Sequence, residues 1–222
     1  MKRQHFLVVL ATGALLGCGA DNRSSIEITG RAAPTDLKEC TFSPGGLVVL
    51  GNGGTYDVAL AGTYPQYDLA LYVQNNLVDP NVISPGSTTQ SKDWSVESVR
   101  IRVNPTAYTD QYKPSPALAA ITGESTIPAA SSSSIEPGGG KTTIVTGLIT
   151  DGLLAALQGG AGAGGTVVLG VTLQGRTNDG ARLDSSEWPF PLFVCNGCVT
   201  VPTTCDASKT LVSCLGQVPS CQ

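Results

Sequence analysis

The chain has 222 residues, 17 acidic and 13 basic side chains, and a formal net charge of −4 at pH 7. The basic residues form no stripe, and a negatively charged chain without a basic surface is not expected to bind nucleic acid. Only 14% of the residues are charged, whereas glycine occurs 27 times. This composition is typical of an exported β-rich protein. The length suits one sizeable domain, with at most a small appendage.

The first 17 residues have the pattern of a signal peptide. Lys2 and Arg3 precede an apolar run of eleven residues from Phe6 to Leu16. A run of this length is typical of the core of a signal peptide and is too short to span a hydrocarbon layer of about 30 Å. It ends in Leu15-Leu16-Gly17-Cys18, which resembles the lipobox of bacterial lipoproteins.

This resemblance implies that the sulfur of Cys18 receives a diacylglyceryl group. It also implies that the chain is cleaved after Gly17 and that the new amino terminus is acylated. Gly19 follows the cysteine where an aspartate would favour the inner membrane, so the family's sorting rule predicts the outer membrane. The alternative is an ordinary cleaved signal peptide, with Cys18 as a free or paired thiol. The expected membrane contact is the lipid anchor.

Removal of residues 1–17 changes the chemistry that the chain can perform. The loss of 17 of the 222 residues leaves 205, and the loss of Lys2 and Arg3 changes the net charge from −4 to −6. The only histidine is His5 and the only methionine is Met1. The mature chain therefore excludes Ser-His-Asp and Cys-His catalysis, and metal sites that need imidazole or thioether ligands. We expect no catalytic residues, no metal and no cofactor.

The mature chain is predicted to contain three parts. Residues 19–38 are polar and poor in large apolar side chains, so residues 18–38 are predicted to be the lipidated cysteine and a flexible tether. A folded domain is predicted for residues 39–201. Residues 202–222 form a cysteine-rich tail, which is too short to build a core of its own and is expected to need disulfides.

Apolar and polar residues alternate with period two in several segments, which predicts about seven to nine strands. Asn178-Asp179-Gly180 predicts a hairpin turn between two of them. The last strand is near Pro189 and Pro191, which predicts a position at a sheet edge. The predicted strands cover residues 47–50, 56–60, 67–75, 99–103, 142–149, 166–177, a return strand from 181, and 190–195.

One short helix is predicted over residues 152–158, with Thr150 or Asp151 as its cap and Gly159 at its end. Residues 79–92 and 108–116 are predicted loops, and residues 129–140 a mobile loop. Many strands, glycine-rich and proline-rich turns and little helix predict an all-β fold, a β-sandwich. The order of features loosely resembles immunoglobulin-like accessory domains, an architecture that hosts many functions.

Six cysteines remain once Cys18 is assigned to the lipid, and an even number predicts structural disulfides. A redox dithiol or half of a zinc site is the alternative for Cys195-x-x-Cys198, but Asn196-Gly197 between them predicts a turn rather than the start of a helix. The preferred bridge joins Cys40 to Cys195 or Cys198. The disulfide candidates are Cys40, Cys195, Cys198, Cys205, Cys214 and Cys221.

Two further patterns imitate catalytic or nucleotide sites. Gly138 to Thr142 reads Gly-Gly-Gly-Lys-Thr, but a phosphate-binding loop needs a glycine at position 135, where Ile135 stands. We therefore expect no nucleotide. The acidic residues of the predicted domain have no spacing that pairs two carboxyl groups as in a glycosidase. They include Asp57, Asp68, Asp151, Asp179, Asp184 and Glu187.

The aromatic residues suggest a binding surface. Trp94 and Trp188 are expected in the core, whereas Tyr64, Tyr67, Tyr108 and Tyr112 lie in proline-flanked segments and could form an exposed contact surface for a glycan or a protein. The leading hypothesis is an outer-membrane-anchored lipoprotein with a non-catalytic structural or binding ectodomain. The alternatives are a carbohydrate-binding module and a carboxylate-dependent glycan hydrolase.

The lipidation hypothesis predicts the behaviour of Cys18→Ser. The variant lacks the acceptor sulfur, so we expect unprocessed precursor or a soluble form that partitions into the aqueous phase of a detergent extract. Mass spectrometry of the amino-terminal peptide measures the lipid directly. Wild-type protein that carries no lipid and partitions into the aqueous phase would contradict the hypothesis.

Overall fold

A computed structural model describes residues 25–36, 41–42, 48–49, 53–79, 92–129, 133–160, 164–202, 211–212, 216–217 and 220–221. The predicted signal peptide, Cys18, Cys40, Cys205 and Cys214 lie outside the described residues. No helix within those described residues is long and apolar enough to cross a membrane.

The described chain is mostly strand, with three short helices. The strands are β1 (Ile26–Ala32), β2 (Val48–Val49), β3 (Gly54–Asp57), β4 (Asp68–Asn75), β5 (Trp94–Val103), β6 (Gly123–Pro128), β7 (Ser134–Ile135), β8 (Gly140–Gly147), β9 (Gly165–Thr177), β10 (Arg182–Asp184), β11 (Trp188–Cys195), β12 (Leu211–Val212) and β13 (Ser220–Cys221). The helices are α1 (Thr106–Tyr112), α2 (Pro116–Ala119) and α3 (Asp151–Gly160), and a 3-10 turn covers Val58–Leu60.

The strands form two main sheets. The four-stranded sheet has the order β2-β1-β4-β8, and the seven-stranded sheet has the order β3-β11-β9-β5-β6, with β10 paired to β9 and β7 paired to β5. Strands β12 and β13 form a separate antiparallel pair. All pairs are antiparallel except that of β3 with β11.

The inner faces of the two sheets enclose one hydrophobic core. Leu69, Leu71 and Val73 on β4 are fully buried, and they belong to the same cluster as Val99 and Ile101 on β5. The alternation in the sequence predicts these inward faces because successive side chains of a strand point to opposite sides of the sheet. The predicted all-β sandwich is confirmed.

Strand β9 is the central strand of the larger sheet. Its 13 residues pair with β5 on one side and with β10 and β11 on the other. The predicted hairpin turn joins β9 to β10, and Gly180 has a φ of +88° there. Lys92 and the Thr177 hydroxyl both bind the Asp179 carboxylate in this turn and lower its pKa to about 2.

The prediction that residues 18–38 are a flexible tether is wrong for β1. Ile26 and Ile28 are buried, and β1 pairs with both β2 and β4. Buried and half-buried residues alternate through all of β1, but Gly30 and Ala32 at two of the buried positions are too small to show the pattern by hydropathy. The folded domain therefore begins before residue 39.

The prediction of a single helix is also wrong. Residues 108–116, predicted as a loop, contain most of α1 and the first residue of α2. Pro105 and Pro116 are compatible with helix starts because proline lacks only an N–H that a first turn does not use. The one helix that was predicted is confirmed as α3. The Leu153 N–H donates to Thr150 Oγ1 at 3.3 Å, and the helix continues past Gly159 to Gly160.

Two strand predictions need correction. Strand β11 is not an edge strand, because β3 pairs with it from Leu192 to Cys195. Pro189 and Pro191 lie in the half of β11 that β3 does not reach. Residues 129–140 include β7 and the first residue of β8, so the predicted mobile loop is wrong for those parts.

Trp94 provides a test of the packing. It is fully buried, donates from Nε1 to the Leu183 carbonyl at 3.1 Å, and lies against Gly175. A Cβ at residue 175 would be 2.6 Å from Trp94 Cε2 and would also overlap the Ser95 carbonyl oxygen.

Gly175→Ala is expected to lower the free energy of unfolding by about 1–3 kcal/mol because it overpacks the core. Gly62→Ala is the matched control, because an added Cβ there meets nothing within 4 Å, and we expect a change within about 0.5 kcal/mol. Urea unfolding measures both. Equal stability of the two variants would contradict the described contact between Trp94 and Gly175.

Candidate functional site

The predicted tyrosine surface does not form as expected. Tyr67 is only 4% exposed and packs on Phe190 inside the sandwich, with ring centroids 5.7 Å apart. Tyr64, Tyr108 and Tyr112 are half-buried. The Tyr108 hydroxyl donates to the Glu187 carbonyl at 2.9 Å. The prediction of exposure is wrong for Tyr67, because its ring fills space between the two sheets.

Two of the predicted disulfide candidates pair with each other. Cys195 and Cys198 form a disulfide with their Cα atoms 5.9 Å apart, so the preferred bridge from Cys40 to either of them is wrong. The predicted turn at Asn196-Gly197 explains the pairing, because Gly197 has a φ of +78°, which favours glycine and reverses the chain. Disulfides among Cys40, Cys205, Cys214 and Cys221 stay predictions.

The Asp57 carboxylate lies beneath this turn. Asp57 has no exposed surface, and its Oδ1 accepts from the N–H groups of Ala59 at 2.9 Å and Gly197 at 2.7 Å. Its Oδ2 accepts from the Val199 N–H at 2.8 Å. Burial acts to raise the pKa of Asp57, but the N–H groups around it outweigh burial and hold the pKa below its ordinary value of 3.8.

The backbone of Asp57 binds the cysteine-rich tail. Its N–H donates to Gln217 Oε1 at 2.6 Å, and its carbonyl accepts from Gln217 Nε2 at 2.7 Å. The neighbouring Gly216 pairs with Asp68 through two backbone hydrogen bonds of 2.8 and 2.9 Å. The tail therefore contacts both sheets, since Asp57 ends β3 and Asp68 begins β4.

Asp57, Cys195 and Cys198 have the spacing of a metal site. One possible ligand atom from each lies within 4.8 Å of the others. However, the two sulfurs bond to each other, and the Asp57 oxygens already accept backbone N–H groups. The arrangement is that of a structural joint, in which the carboxylate satisfies a turn that would otherwise bury unpaired donors.

The outer surface of the seven-stranded sheet carries a second constellation, which we call the polar face. Its register places Ser98 opposite Gln174, and Arg100 opposite Thr172, across β5 and β9. Asp184 on β10 lies opposite Gln174 on the other side. The polar face consists of the side chains of Ser98, Arg100, Arg102, Thr172, Gln174, Asp184 and Glu187.

Ion pairs and amide hydrogen bonds connect this face. Arg102 Nε donates to Glu187 Oε2 at 2.5 Å, and Arg100 Nη2 lies 3.5 Å from Asp184 Oδ2. Gln174 bridges the strands, with Nε2 3.4 Å from Asp184 Oδ2 and Oε1 3.2 Å from Ser98 Oγ.

Gly170 lets Glu187 reach Arg102. The Glu187 side chain, 13% exposed, crosses β9 at Gly170, where an added Cβ would lie 2.7 Å from Glu187 Cδ. Any larger side chain at this position would occupy the space of the carboxylate. The ion pair between Arg102 and Glu187 therefore depends on the glycine opposite Arg102.

Two buried atoms beneath the polar face have no hydrogen-bond partner among the described residues. Thr172 is 1% exposed and its Oγ1 has no hydrogen-bond partner, and the same is true of the buried Nε of Arg100 opposite it. A shallow polar depression of about 180 Å³ lies on the same face and includes Ser98, Gln174 and Asp184 in its lining. It is lined by Glu97, Ser98, Gln174, Gly175, Arg182 and Asp184.

The polar face offers donors and acceptors in equal measure. Two guanidinium groups face two carboxylates, and the amide and hydroxyls both donate and accept. Such a balanced face suits a neutral ligand rich in hydroxyl groups better than a polyanion, which needs an excess of positive charge.

The alternation in β5 predicts that Arg100 and Arg102 point outward, and both belong to the polar face. Asp184 and Glu187 have no spacing that would unite them with these arginines, but the pairing of β10 with β9 brings Asp184 to them, and the pairing of β11 with β9 brings Glu187. Thr172 and Gln174 can be assigned to the outer face from the inward positions of the residues between them. No pattern in the sequence predicts the contact between Gln217 and Asp57.

No known protein family matches this chain, and no curated protein sequence matches it.

Asp57→Asn tests the joint beneath the disulfide. Asparagine replaces one accepting oxygen by an NH₂ group that faces N–H donors, so we expect a loss of about 2–4 kcal/mol in the free energy of unfolding at neutral pH. Chemical unfolding of both proteins between pH 2 and pH 7 measures it, with exposed Asp110→Asn as the control.

The pH dependence has a defined sign. The pKa of Asp57 is lower in the folded protein than its ordinary 3.8, so its contribution is complete above that pH and is lost as the pH falls through the folded-state pKa. The difference between wild type and Asp57→Asn should therefore shrink below about pH 4. A difference that is independent of pH down to pH 2 would show that the carboxylate charge does not act there.

Proposed function

We propose that the protein is an outer-membrane-anchored lipoprotein whose β-sandwich ectodomain is a non-catalytic binding module. The polar face is the binding surface, and its ligand is a neutral, hydroxyl-rich glycan. The observation that carries this proposal is the row of paired arginines and carboxylates on one side of the seven-stranded sheet, beside a shallow polar depression.

The arrangement of the face supports a sugar rather than an apolar ligand. Sugar hydroxyls need a donor and an acceptor close together, and Gln174 between Ser98 and Asp184 supplies both. A depression of about 180 Å³ is smaller than the pockets that enclose drug-sized ligands. It suits one residue of a chain that continues along the sheet.

The pairing of the acidic groups supports a binding function over hydrolysis. A glycan hydrolase of the usual type needs two carboxyl groups that flank the bond to be cleaved. On the polar face Glu187 bonds to Arg102 and Asp184 lies against Arg100 and Gln174. These contacts fix the carboxylates as acceptors and orient the arginines.

The anchor part of the proposal depends on Leu15 to Cys18 in the sequence. A lipid at Cys18 would place the amino terminus at a membrane and leave the sandwich in the adjoining aqueous space. Strand β1 begins at Ile26, so few residues separate the lipid from the folded domain. The module would therefore act close to the membrane surface.

Native gels that contain a soluble polysaccharide test the binding. We expect a neutral glucan or xylan to retard the wild-type protein, and Arg100→Ala to weaken the retardation about tenfold or more, because a hydrogen bond from a charged donor contributes about 1.5–3 kcal/mol. Lys141→Ala is the control: it removes the same charge from the four-stranded sheet, where Lys141 lies 6.0 Å from the Tyr72 ring centroid.

Three results would overturn the proposal. These are the absence of retardation in all neutral polysaccharides, retardation only in anionic alginate, and equal retardation of Arg100→Ala and wild type. Release of new reducing ends from a retarding polysaccharide would show that the module is catalytic.

A further inference from the structure

An asparagine followed by a glycine forms the tip of the disulfide-closed turn. Asn196 and Gly197 are both exposed, and Gly197 has a φ of +78°. Asparagine is a chemically labile residue, and it loses its side-chain amide most readily before glycine, which has no side chain to hinder the reaction. The sequence has one other such pair, Asn52-Gly53. The turn is therefore a place where the chain can modify itself.

The reaction requires a particular position for the Asn196 side chain. The Gly197 nitrogen bonds to Asn196 Cγ, and the side-chain amide leaves as ammonia together with the proton from that nitrogen. The product is a five-membered succinimide ring, which water opens to aspartate or isoaspartate. In the ring, Cγ takes the place on the Gly197 nitrogen that the amide hydrogen held. The space beyond this hydrogen must therefore be free for Cγ to enter.

In the folded protein, Asp57 occupies this space. Its Oδ1 accepts the Gly197 N–H with a nitrogen–oxygen distance of 2.7 Å. The carboxylate is held in place, since Oδ1 also accepts from the Ala59 N–H and Oδ2 accepts from the Val199 N–H. These donors keep the pKa of Asp57 below its ordinary 3.8, so the carboxylate is too weak a base to remove the amide proton. The turn is protected as long as this contact persists.

The disulfide is the second restraint on the turn, and it is accessible from one side. Cys195 is 4% exposed, whereas Cys198 is an exposed residue. A thiolate of an external dithiol can attack Cys198 Sγ and displace Cys195 Sγ, and its second thiol then attacks the mixed disulfide and leaves as a cyclic disulfide. The two cysteines gain two electrons and two protons. The turn then keeps only its hydrogen bonds, and an exposed turn with fewer restraints opens more often.

We propose that Asn196 is a deamidation site that Asp57 and the disulfide keep closed, and that reduction of the disulfide by a dithiol opens it. Aspartate at this position adds a negative charge to the turn that Asp57 binds. Isoaspartate lengthens the backbone before Gly197, so the N–H groups of Gly197 and Val199 no longer fit the carboxylate. The change is irreversible and records that the protein has met a reductant. This site is independent of the polar face and its proposed ligand.

Peptide mapping of the complete protein tests the proposal. The protein is incubated in a mildly alkaline buffer in three states: oxidised, reduced with dithiothreitol, and reduced in urea. The urea sample gives the unprotected rate at Asn196, and Asn52 in the same sample shows that the chemistry proceeds. We expect reduction of the folded protein to raise the rate at Asn196 about tenfold or more, the order of the restraint that a disulfide imposes on a short loop.

Variants assign the effect to the turn. Cys195→Ser combined with Cys198→Ser should show the higher rate without any reductant, with the other cysteines left as they are. Asp57→Asn should also raise the rate, because the acceptor beyond the Gly197 N–H is weakened. Gly175→Ala is the matched control, since it is expected to destabilise the core but leaves the turn unchanged, and its rate should equal that of wild type.

Each contrary result overturns the proposal. It is wrong if Asn196 deamidates as fast in the oxidised, folded protein as in urea, or if Asp57→Asn has the wild-type rate. A rise with dithiothreitol but not in the paired serine variant would place the restraint in another disulfide. Equal rises in Asp57→Asn and Gly175→Ala would show that global unfolding exposes the site. Circular dichroism shows whether each variant is folded, and the paired serine variant decides if Asp57→Asn is not.

Discussion

Buried Asp57 joins the turn that follows it to two parts of the chain that are distant in sequence, through its carboxylate and its backbone. Its oxygens hold the 3-10 turn at Ala59 and the disulfide-closed turn at Gly197 and Val199, while its backbone binds Gln217. A buried charge is costly unless hydrogen bonds replace its water, and here backbone N–H groups do so. The parallel pairing of β3 with β11 ends at Asp57. The end of this strand pair is therefore held by the hydrogen bonds to Asp57.

The two sides of the larger sheet differ in polarity because one faces the core and the other faces solvent. The inner side meets the four-stranded sheet and is apolar from Val167 to Leu173 on β9, whereas the outer side carries charges that pair with one another across strands. Cross-strand ion pairs hold long side chains in defined rotamers. The proposed glycan surface is therefore ordered before a ligand arrives, which lowers the entropic cost of binding.

The inward faces of β4, β5 and β9, the turn at Asn178 to Gly180 and helix α3 could all be predicted from local patterns. Strand β1 and the two short helices after Pro105 could not. Small residues stand at two of the buried positions of β1, and helices of seven and four residues are too short to show a period. The candidate site likewise has a part that the sequence predicts and a part that it does not. Strand alternation places Arg100 and Arg102 on one face, but the arrival of Asp184 and Glu187 beside them depends on pairing between distant segments.

The separation of 160 residues between Asp57 and Gln217 has a consequence for the order in which the protein forms. Synthesis from the amino terminus presents β3 early, yet its parallel partner β11 and the glutamine that binds Asp57 arrive much later. Contacts between distant segments require a loss of loop entropy before they form, and they slow folding. The incomplete chain would therefore stay open until its last residues are available to close the contact.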